Sequence, residues 1–447
     1  MKLEYLPLAI TNYTMQVVRN PTAFASKAST RLFGRGFRRA LAPEHRQRDF
    51  RVPIFDSPAG GSSAVPLHIL TNSFPHSTGG YAVRSHQILK AQRDAGMSAS
   101  AITRICYPVN VGRFPSSACE DFDGLTYARV LPTLCPTFFA AQIREYARWI
   151  RDEAVRRGAT ILHTTTPWPN AAATSLAARE LGIPWVYEVR GEPEATWAAH
   201  QPKGSDPQST AFYKASRLKE EEAMHAAAAV VALSEVSAVS LRNRGIRRLI
   251  EIVPNAVDPH WFSQRIPADE AQRSLSLPPR QYVGAVSSIV DYEGFDDLIL
   301  ALHHLPRDVS VLLVGDGSHL SVLRDLARVE QLLDRVVFSG YQSHDEIARY
   351  YSALNVFVVP RKDTPVTRNV TPIKTLQAQA FGIPIVASDL PALREVTRGV
   401  ERYVVPGSPR DIASAIVDAL HSPVRASSHL FTWADAARIY GELYSGL

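Results

Sequence analysis

The stretch NVFVVPRKDTPVTRNVTPIKTLQAQAFGIPIVA, residues 355–387, contains the pattern that decides the fold. It begins and ends with short β-branched apolar runs, 355–359 and 383–387, and a helix-length amphipathic segment, 372–381, lies between them. The apolar runs do not alternate with polar residues, which is typical of parallel strands buried on both faces of a sheet. A strand–helix–strand unit of this kind indicates an α/β fold.

The same alternation of strands and helices extends from residue 65 to the end of the chain. Strands are predicted at 65–70, 99–103, 160–164, 184–189, 229–233, 249–253, 281–286, 309–314, 335–339, 355–359, 383–387 and 402–405. Helices are predicted at 80–94, 139–157, 209–227, 293–304, 318–331, 372–381 and 409–421. Two consecutive series of this kind predict two doubly wound, Rossmann-like domains.

We place the first domain at residues 65–258 and the second at 259–430, with a turn-rich hinge at 253–261. A basic extension, 1–64, precedes them, and a final helix, 431–447, is expected to pack back across the domains. A length of 447 residues agrees with two domains of about 200 residues each.

Composition excludes several classes of protein. The 45% apolar content argues against general disorder. No apolar run approaches the roughly 18 residues of a membrane-spanning helix, and the first residues lack a signal-peptide cleavage site. The three cysteines, Cys106, Cys119 and Cys135, contain no CxxC pair, which fits a reducing compartment and argues against disulfides or a cysteine zinc site. We therefore expect a cytoplasmic protein.

Positive charge is concentrated at the start of the chain. Residues 1–51 hold ten basic and three acidic residues, whereas the remainder holds 39 basic and 40 acidic residues. The overall charge of +6 thus belongs to this leader. It predicts either peripheral contact with an anionic membrane, at the inner membrane face, or simply a solvated extension. Aromatic residues do not interleave with the basic ones, so we expect no nucleic-acid partner.

Two strand–helix junctions carry candidate ligand-binding residues. In the first, Gly79 and Gly80 precede a helix, where backbone N–H groups can approach an anionic oxygen. A tight structural turn is the alternative. In the second, Thr371 is a natural N-cap and Pro372 a natural first helical residue. Four cations surround that helix start: Arg361, Lys362, Arg368 and Lys374. A lysine opposes the helix dipole there, so the cluster favours a bound phosphate or diphosphate over a solvated basic loop.

A third junction places Arg190 and Glu192 after a buried strand, as cleft charges or as a structural ion pair. Other motifs are weak or missing. Asp121 and Asp123 have D-x-D spacing but are read as a surface turn, and there is no HExxH, GxSxG or P-loop motif. We therefore expect no metal site, serine hydrolase or P-loop enzyme.

Several segments, in this order, resemble the GT-B glycosyltransferases of family 4. The matching segments are STGGYAVRSHQILKAQRDAG, WVYEVRGEPEATW, VPNAVDPHWF, YVGAVSSIVDYEGFDDLI, LLVGDGSHLSVLRDLA, VVFSGY and VTPIKTLQAQAFGIPIVASDLPALREV. The resemblance covers residues 65–447 and implies two Rossmann-like domains that face each other across a cleft. It implies retaining, metal-independent transfer of a sugar from a UDP- or GDP-linked donor, without another cofactor, to a sugar, lipid-linked or small-molecule acceptor.

The resemblance also assigns site residues. Gly79 and Gly80 would contact the diphosphate, and Arg190 occupies the place of a cleft histidine. Gly315 falls in the GDG turn, while Gly340 and Tyr341 fall in the loop that contacts the base. The donor would bind mainly to the second domain.

The chain departs from the family pattern at four positions. The paired glutamates of the E-x7-E motif fall on Asn369 and Gln377, and the usual arginine and lysine fall near Ala285 and Glu293. Gln377 can still bond ribose hydroxyls and Asn369 can still touch sugar hydroxyls. A glutamate at 293 is expected to repel a diphosphate.

We expect Lys374, with Arg361 or Arg368, to supply the missing positive charge to the leaving diphosphate. Lys374, Asn369 and Arg190 are thus the predicted catalytic residues. The predicted donor-binding residues are Gly79, Gly80, Gly315, Gly340, Tyr341, Arg361, Arg368, Thr371 and Gln377. Two alternatives stay open: a GT-B pseudoenzyme that partners an active transferase, and a sugar-nucleotide epimerase.

Overall fold

The structure is a computed structural model. It describes residues 50–53, 64–199, 201, 204–343, 346–399, 401–421 and 430–447. Most of the predicted basic extension, and with it the predicted membrane contact, lies outside the described residues.

The chain divides into two compact units. The first contains the described residues up to Ala232, together with Leu241–Val253 and Ala434–Leu447. The second contains Leu233–Ser240 and Pro254–Trp433. Each unit is an α/β sheet with helices, which is the predicted fold class.

The first unit is built on an eight-stranded sheet. Its strands are β1 Pro66–Leu70, β2 Ser100–Thr103, β3 Cys119–Phe122, β4 Leu125–Ala128, β5 Ile161–Thr165, β6 Trp185–Val189, β7 Ala229–Ala232 and β8 Leu249–Ile252. The α-helices that lie between β1 and β8 along the chain are α1 Gly80–Asp94, α2 Phe139–Arg157, α3 Trp168–Leu181, α4 Pro193–Ala199, α5 Ala211–Ala226 and α6 Glu235–Asn243.

The strand order of this sheet is β3-β4-β2-β1-β5-β6-β7-β8. All pairings are parallel except the β3–β4 hairpin. The strands β1, β5 and β6 are buried along their whole length, including the polar residues His68, His163 and Glu188 that they carry. The chain moves outward in opposite directions from β1 and β5, so the topological switch point lies between their carboxyl ends.

The second unit is built on a six-stranded, all-parallel sheet, in the order β11-β10-β9-β12-β13-β14. Its strands are β9 Gln281–Val286, β10 Val309–Val314, β11 Val336–Gly340, β12 Val356–Val359, β13 Ile385–Ser388 and β14 Arg402–Val404. Its helices are α7 Ala268–Ser274, α8 Phe295–Ala301, α9 Leu320–Val329, α10 Ile347–Ala353, α11 Pro365–Asn369, α12 Ile373–Ala380, α13 Pro391–Val396 and α14 Pro409–His421. The switch point lies between β9 and β12.

The last helix, α15 Trp433–Ser445, belongs almost entirely to the first unit. Its tyrosines Tyr440 and Tyr444 are buried there against His163 of β5. No described helix is both long and apolar enough to span a bilayer.

The sequence reading missed the β3–β4 hairpin, because its short strands mix acidic, polar and apolar residues. Asp121 lies on β3 and accepts a hydrogen bond from Thr126, while Asp123 lies in the hairpin turn beside His86 and Lys90. The predicted surface turn is thus wrong for Asp121, which lies on an edge strand.

The cysteine interpretation is also wrong. Cys106 and Cys135 form a disulfide in the structure, and Cys119 is free and exposed. The Cys106 N–H donates to the Val130 carbonyl at 2.8 Å, which brings the segments after β2 and β4 together. An odd cysteine count without CxxC therefore gave no information on this pair, and it does not indicate a reducing compartment.

Candidate active site

Side chains from two loops and one helix converge at the switch point of the second sheet. Ser287 follows β9 directly, and Glu293 ends a 3₁₀ turn at Asp291–Glu293. Arg361 follows β12, and Lys374 lies in the first turn of α12. The carboxyl end of a switch point is where open α/β sheets bind ligands.

Glu293 is the centre of this group. It accepts hydrogen bonds from Arg361 Nη2 at 3.0 Å and from Arg361 Nε at 3.2 Å, and a third bond from Lys374 Nζ. Lys374 Nζ also donates to Ser287 Oγ at 2.6 Å. The three charged residues are buried, and together they hold two positive charges against one negative charge. We call Glu293, Arg361 and Lys374 the acid-bridged cation site.

Burial and charge act against each other on the ionisation of this site. Burial raises the pKa of Glu293, but Arg361 and Lys374 outweigh that effect and lower it to about 2. Burial lowers the pKa of Lys374 from 10.5 to about 8, although Glu293 acts to raise it. At neutral pH Glu293 and Lys374 are therefore both charged.

The expected repulsion by Glu293 needs correction. Its carboxylate is neutralised by Arg361 and Lys374, so it holds the two cations in place instead of standing unpaired before a diphosphate.

The four predicted cations do not form one unpaired cluster either. Arg368 is exposed and forms an ion pair with Asp363 at 2.5 Å. Lys362 Nζ lies 2.7 Å from Asp291 and 3.0 Å from Asp296. The surplus positive charge therefore resides on the Arg361–Lys374 pair, which favours Arg361 over Arg368 as the partner of Lys374.

Asp291, Asp296 and His319 bring potential metal-ligand atoms within 4.8 Å of one another. The Lys362 ammonium pairs with both carboxylates, and His319 Nε2 lies 2.7 Å from Asp296. The Lys362 ammonium thus already offsets one of the two negative charges of these carboxylates.

The start of α12 differs by one residue from the prediction. Pro372 is the N-cap residue, and Thr371 precedes it. Thr371 Oγ1 is buried and has no hydrogen-bond partner among the described residues, so this hydroxyl can donate to a ligand.

The two residues at the E-x7-E positions both lie in the second unit. Gln377 on α12 accepts a hydrogen bond at Oε1 from the Tyr351 hydroxyl at 2.9 Å, which leaves its NH₂ group as the donor for a further partner. Asn369 ends α11, and its Nδ2 lies 3.5 Å from Ser240 Oγ.

Gly315 and Gly340 meet at the ends of neighbouring strands, where the Gly315 N–H donates to the Gly340 carbonyl at 2.8 Å. Gly315 has a φ of +137°, and a Cβ there would overlap the Ser287 carbonyl oxygen. The fold itself thus requires glycine at 315. Tyr341, next along the chain, is 60% exposed.

Gly79 and Gly80 differ from Gly315. Gly79 has an extended backbone, φ −69° and ψ 164°, that any residue adopts. A Cβ at Gly80 would meet nothing within 4 Å, and one at Gly79 would meet only Ser77 Oγ at 3.9 Å. Neither the backbone nor the packing of the first unit therefore requires glycine at these two positions.

Arg190 follows β6, and its side chain is only 2% exposed. Its guanidinium donates to Glu188 Oε2 at 3.1 Å, to the Tyr81 carbonyl at 2.9 Å and to Ser85 Oγ at 2.7 Å. Arg190 is thus directed into the first unit, towards α1.

A groove of about 730 Å³ opens at the other end of the second sheet, beside Gln281, Asp308 and Asn355. These residues lie at the amino ends of β9, β10 and β12. We place the candidate site at the carboxyl ends, because the buried cations lie there and because α/β sheets bind ligands at that edge.

Comparison with known proteins identifies the family. A profile for "Glycosyl transferases group 1" matches residues 280–422, and one for a "Glycosyl transferase 4-like domain" matches residues 79–256. The chain is a group 1 glycosyltransferase. Its two matched regions fall on the two sheets, and the fold is GT-B.

This glycosyltransferase resembles several characterised proteins. It is 26% identical over 274 residues to a 2-deoxystreptamine glucosyltransferase of Streptomyces kanamyceticus, covering 58% of this chain and 67% of the relative. It is 27% identical over 312 residues to a D-inositol 3-phosphate glycosyltransferase of Xylanimonas cellulosilytica, covering 64% and 71%. Anabaena HepE, solved with UDP and glucose, matches with a TM-score of 0.66 at 16% identity, over 86% of this chain and 100% of that one.

Sequence reasoning did not find the pairing roles of Glu293, Ser287 and Glu188 in this glycosyltransferase. Glu293 is 68 residues from Arg361 and 81 from Lys374, so no local pattern joins them. One feature of the sequence pointed to this pairing. An acid, Glu293, lies near a position where the resemblance places a cation, and additional cations lie at 361–374.

Proposed function

We propose that this glycosyltransferase moves a sugar from a UDP- or GDP-linked donor to an acceptor hydroxyl, with retention, in polysaccharide or glycoconjugate assembly. The observation that carries the proposal is the acid-bridged cation site at the switch point of the second sheet. The names of the relatives support sugar transfer to polyol and inositol-type acceptors. Retention rests on the family resemblance.

Within this proposal the donor diphosphate lies against Lys374 and Arg361. The excess of one positive charge attracts it, and the unpartnered Thr371 hydroxyl offers a hydrogen bond. Gln377, whose oxygen is already taken by Tyr351, offers its NH₂ group to the ribose hydroxyls. The exposed Tyr341 is available to the base, as the resemblance assigns.

The chemical step would use the same charges. When the sugar–phosphate bond breaks, negative charge develops on the leaving diphosphate. Cations already fixed by Glu293 stabilise that charge without reorganising, which is the condition for electrostatic catalysis. Asn369 would contact the sugar hydroxyls without adding negative charge.

A donor screen tests the proposal. A nucleotide-sugar that binds only the folded state raises Tm in a concentration-dependent way. We expect one UDP- or GDP-sugar to do so and to be consumed when acceptors are added. Binding without transfer or hydrolysis would support the pseudoenzyme alternative instead, and no nucleotide binding at millimolar concentration would contradict the proposal.

We also propose that residues 1–51 attach the protein to an anionic membrane surface and take no part in catalysis. Their net charge of +7 supports this. Deletion of 1–51 should leave turnover of a soluble donor intact and weaken sedimentation with anionic vesicles. Unchanged vesicle binding would contradict the attachment role.

A further inference from the structure

A second buried carboxylate, Glu188 on β6, organises the interior of the first unit. It is completely buried and accepts from Arg84 Nε at 2.6 Å, Arg190 Nη2 at 3.1 Å and His163 Nε2 at 3.0 Å. Burial raises the pKa of Glu188, but Arg190, Arg84 and His163 outweigh that effect and hold it well below its usual range. The carboxylate is therefore charged at neutral pH.

His163 takes part as a neutral ring, because burial lowers its pKa. A carboxylate can only accept, so Nε2 carries the proton and donates to Glu188. Nδ1 then accepts from the Tyr444 hydroxyl at 2.5 Å. The group thus holds two guanidinium charges against one carboxylate charge.

Both guanidinium groups act on the beginning of α1. Arg190 reaches across from β6 to the Tyr81 carbonyl and Ser85 Oγ, and Arg84 is itself a residue of α1. Gly79, the N-cap residue, has no side chain that could cap the helix. The first turn of α1, directly after Gly79 and Gly80, is therefore held by Glu188 through Arg84 and Arg190.

The last helix closes the same group. Arg84 Nη2 donates to the Tyr440 hydroxyl at 3.2 Å and to the Val253 carbonyl at 2.7 Å. Tyr440 and Tyr444 lie on α15, and Tyr440 is 356 residues from Arg84 along the chain. The end of the chain thus fixes Arg84 and, through it, the helix that follows the glycine turn.

We infer that Glu188, Arg84 and Arg190 form a positioning cluster that sets the direction of the Gly79–Gly80 backbone, and that Arg190 is a positioning residue. This inference rests on the proposed function for the role of the glycine turn. A buried ion pair is often no more stabilising than an apolar replacement, so fixed geometry is the better account of three buried charges. The Arg190 side chain points into the first unit and donates to Tyr81 and Ser85 of α1, as expected for a residue that acts by positioning this helix.

The test compares Arg190→Lys with Arg244→Lys. Lysine can still pair with Glu188 but cannot also hold both Tyr81 and Ser85. Arg244 is an arginine of the first unit whose side chain is 8% exposed and pairs with Glu221 and Glu194. The readouts are hydrogen exchange at amides 82–86, unfolding in urea, and donor affinity.

We expect Arg190→Lys to speed exchange at amides 82–86 about tenfold and to weaken donor binding by a similar factor, since hydrogen bonds from a charged group are lost. Arg244→Lys should change neither. Unchanged exchange at 82–86, or a rise spread evenly over the unit, would overturn the inference. Loss of donor binding with unchanged exchange would instead make Arg190 a substrate contact.

Two milder variants keep the test valid if Arg190→Lys does not fold. Ser85→Ala removes one acceptor of Arg190, and Tyr440→Phe removes the contact of α15 with Arg84. Both should speed exchange at amides 82–86 by a smaller factor, and no change in either would overturn the inference. A wild-type protein that binds no nucleotide would refute the proposed function, while the exchange result would still decide the positioning role.

Discussion

Each unit holds a buried glutamate between two cations near its switch point. The two groups differ in how far their side chains are shielded from solvent. Glu188 lies inside the first unit, with Arg84 and Arg190 each 2% exposed and with α15 packed over them. Glu293 holds Arg361 and Lys374 beside a helix start, where the Lys374 side chain is 10% exposed and the Thr371 hydroxyl is unpartnered. The closed group suits positioning of backbone, whereas the more open one suits charge presented to a ligand.

The largest expected effect is a difference in the unfolding free energy that each glutamate contributes. Glu188→Ala leaves two fully buried guanidinium groups without their anion and should cost about 3–5 kcal/mol of unfolding free energy. Glu293→Ala should cost less, about 1–3 kcal/mol, because Lys374 can release its proton when its partner is gone. Urea unfolding at pH 7 measures both. Equal losses of unfolding free energy in the two variants would show that the two groups do not differ in how far they are shielded from solvent.

Lys374→Ala should reduce activity strongly while it changes the stability of the fold little. Glu293 keeps both hydrogen bonds from Arg361, so the fold should tolerate the change. The leaving diphosphate loses a fixed cation, and kcat/KM should fall about 10²–10³-fold, or roughly 2.7–4 kcal/mol. Steady-state transfer assays measure this effect, and a near-wild-type kcat/KM would contradict the role of Lys374.

The glycines sharpen the same contrast between structural and ligand-facing positions. Gly315→Ala forces a Cβ against the Ser287 carbonyl at a positive φ and should cost about 1–3 kcal/mol of stability. Gly80→Ala should leave stability unchanged or slightly higher, since alanine favours helix by about 0.5–1 kcal/mol. Its effect should appear as weaker donor binding. A stability loss at Gly80 that matches Gly315 would make both glycines structural.

The last expected effect is the pH dependence of the acid-bridged cation site. The pKa of Glu293 falls from 4.5 unfolded to about 2 folded, so its stabilisation is present above pH 4.5 and is lost as pH falls towards 2. The pKa of Lys374 falls from 10.5 to about 8, so the unfolded chain binds more protons between these values and stability contributed by Lys374 rises with pH across that window.

Activity should show the opposite trend at alkaline pH. Transfer should fall above about pH 8 as Lys374 loses its proton, even though its contribution to stability rises. Parallel measurement of kcat/KM and urea unfolding from pH 7 to 10 checks this divergence. Lys374→Arg should abolish the alkaline loss of activity, because a guanidinium stays charged.

Runs rich in β-branched apolar residues made the buried parallel strands predictable, as at 355–359 and 309–314. The residue pattern alone identifies such a strand, without knowledge of which strands it pairs with. The β3–β4 hairpin was missed because its short edge strand carries two charged residues, the exposed Asp121 and the buried Glu120, which pairs with Arg129. Gly79 and Gly80 were found because the helix start that carries them is local in sequence.

The ionic groups could not be predicted in the same way. Arg361 and Lys374 were recognised as cations, but their anion Glu293 comes from a different strand end. Tyr440 meets Arg84 only because the last helix returns to the first unit. Pairing across such separations depends on the folded topology, which single-sequence patterns do not contain.

The most direct test is calorimetric titration of UDP and GDP, at pH 7, into wild-type protein, Lys374→Ala and Lys362→Ala. Lys362 is the matched control, since it is a lysine in the loop between β12 and α11 and pairs with Asp291 and Asp296 instead of Glu293. The account predicts that one nucleotide binds wild type and Lys362→Ala with similar affinity and binds Lys374→Ala at least about tenfold more weakly. Equal affinity for wild type and Lys374→Ala would contradict it.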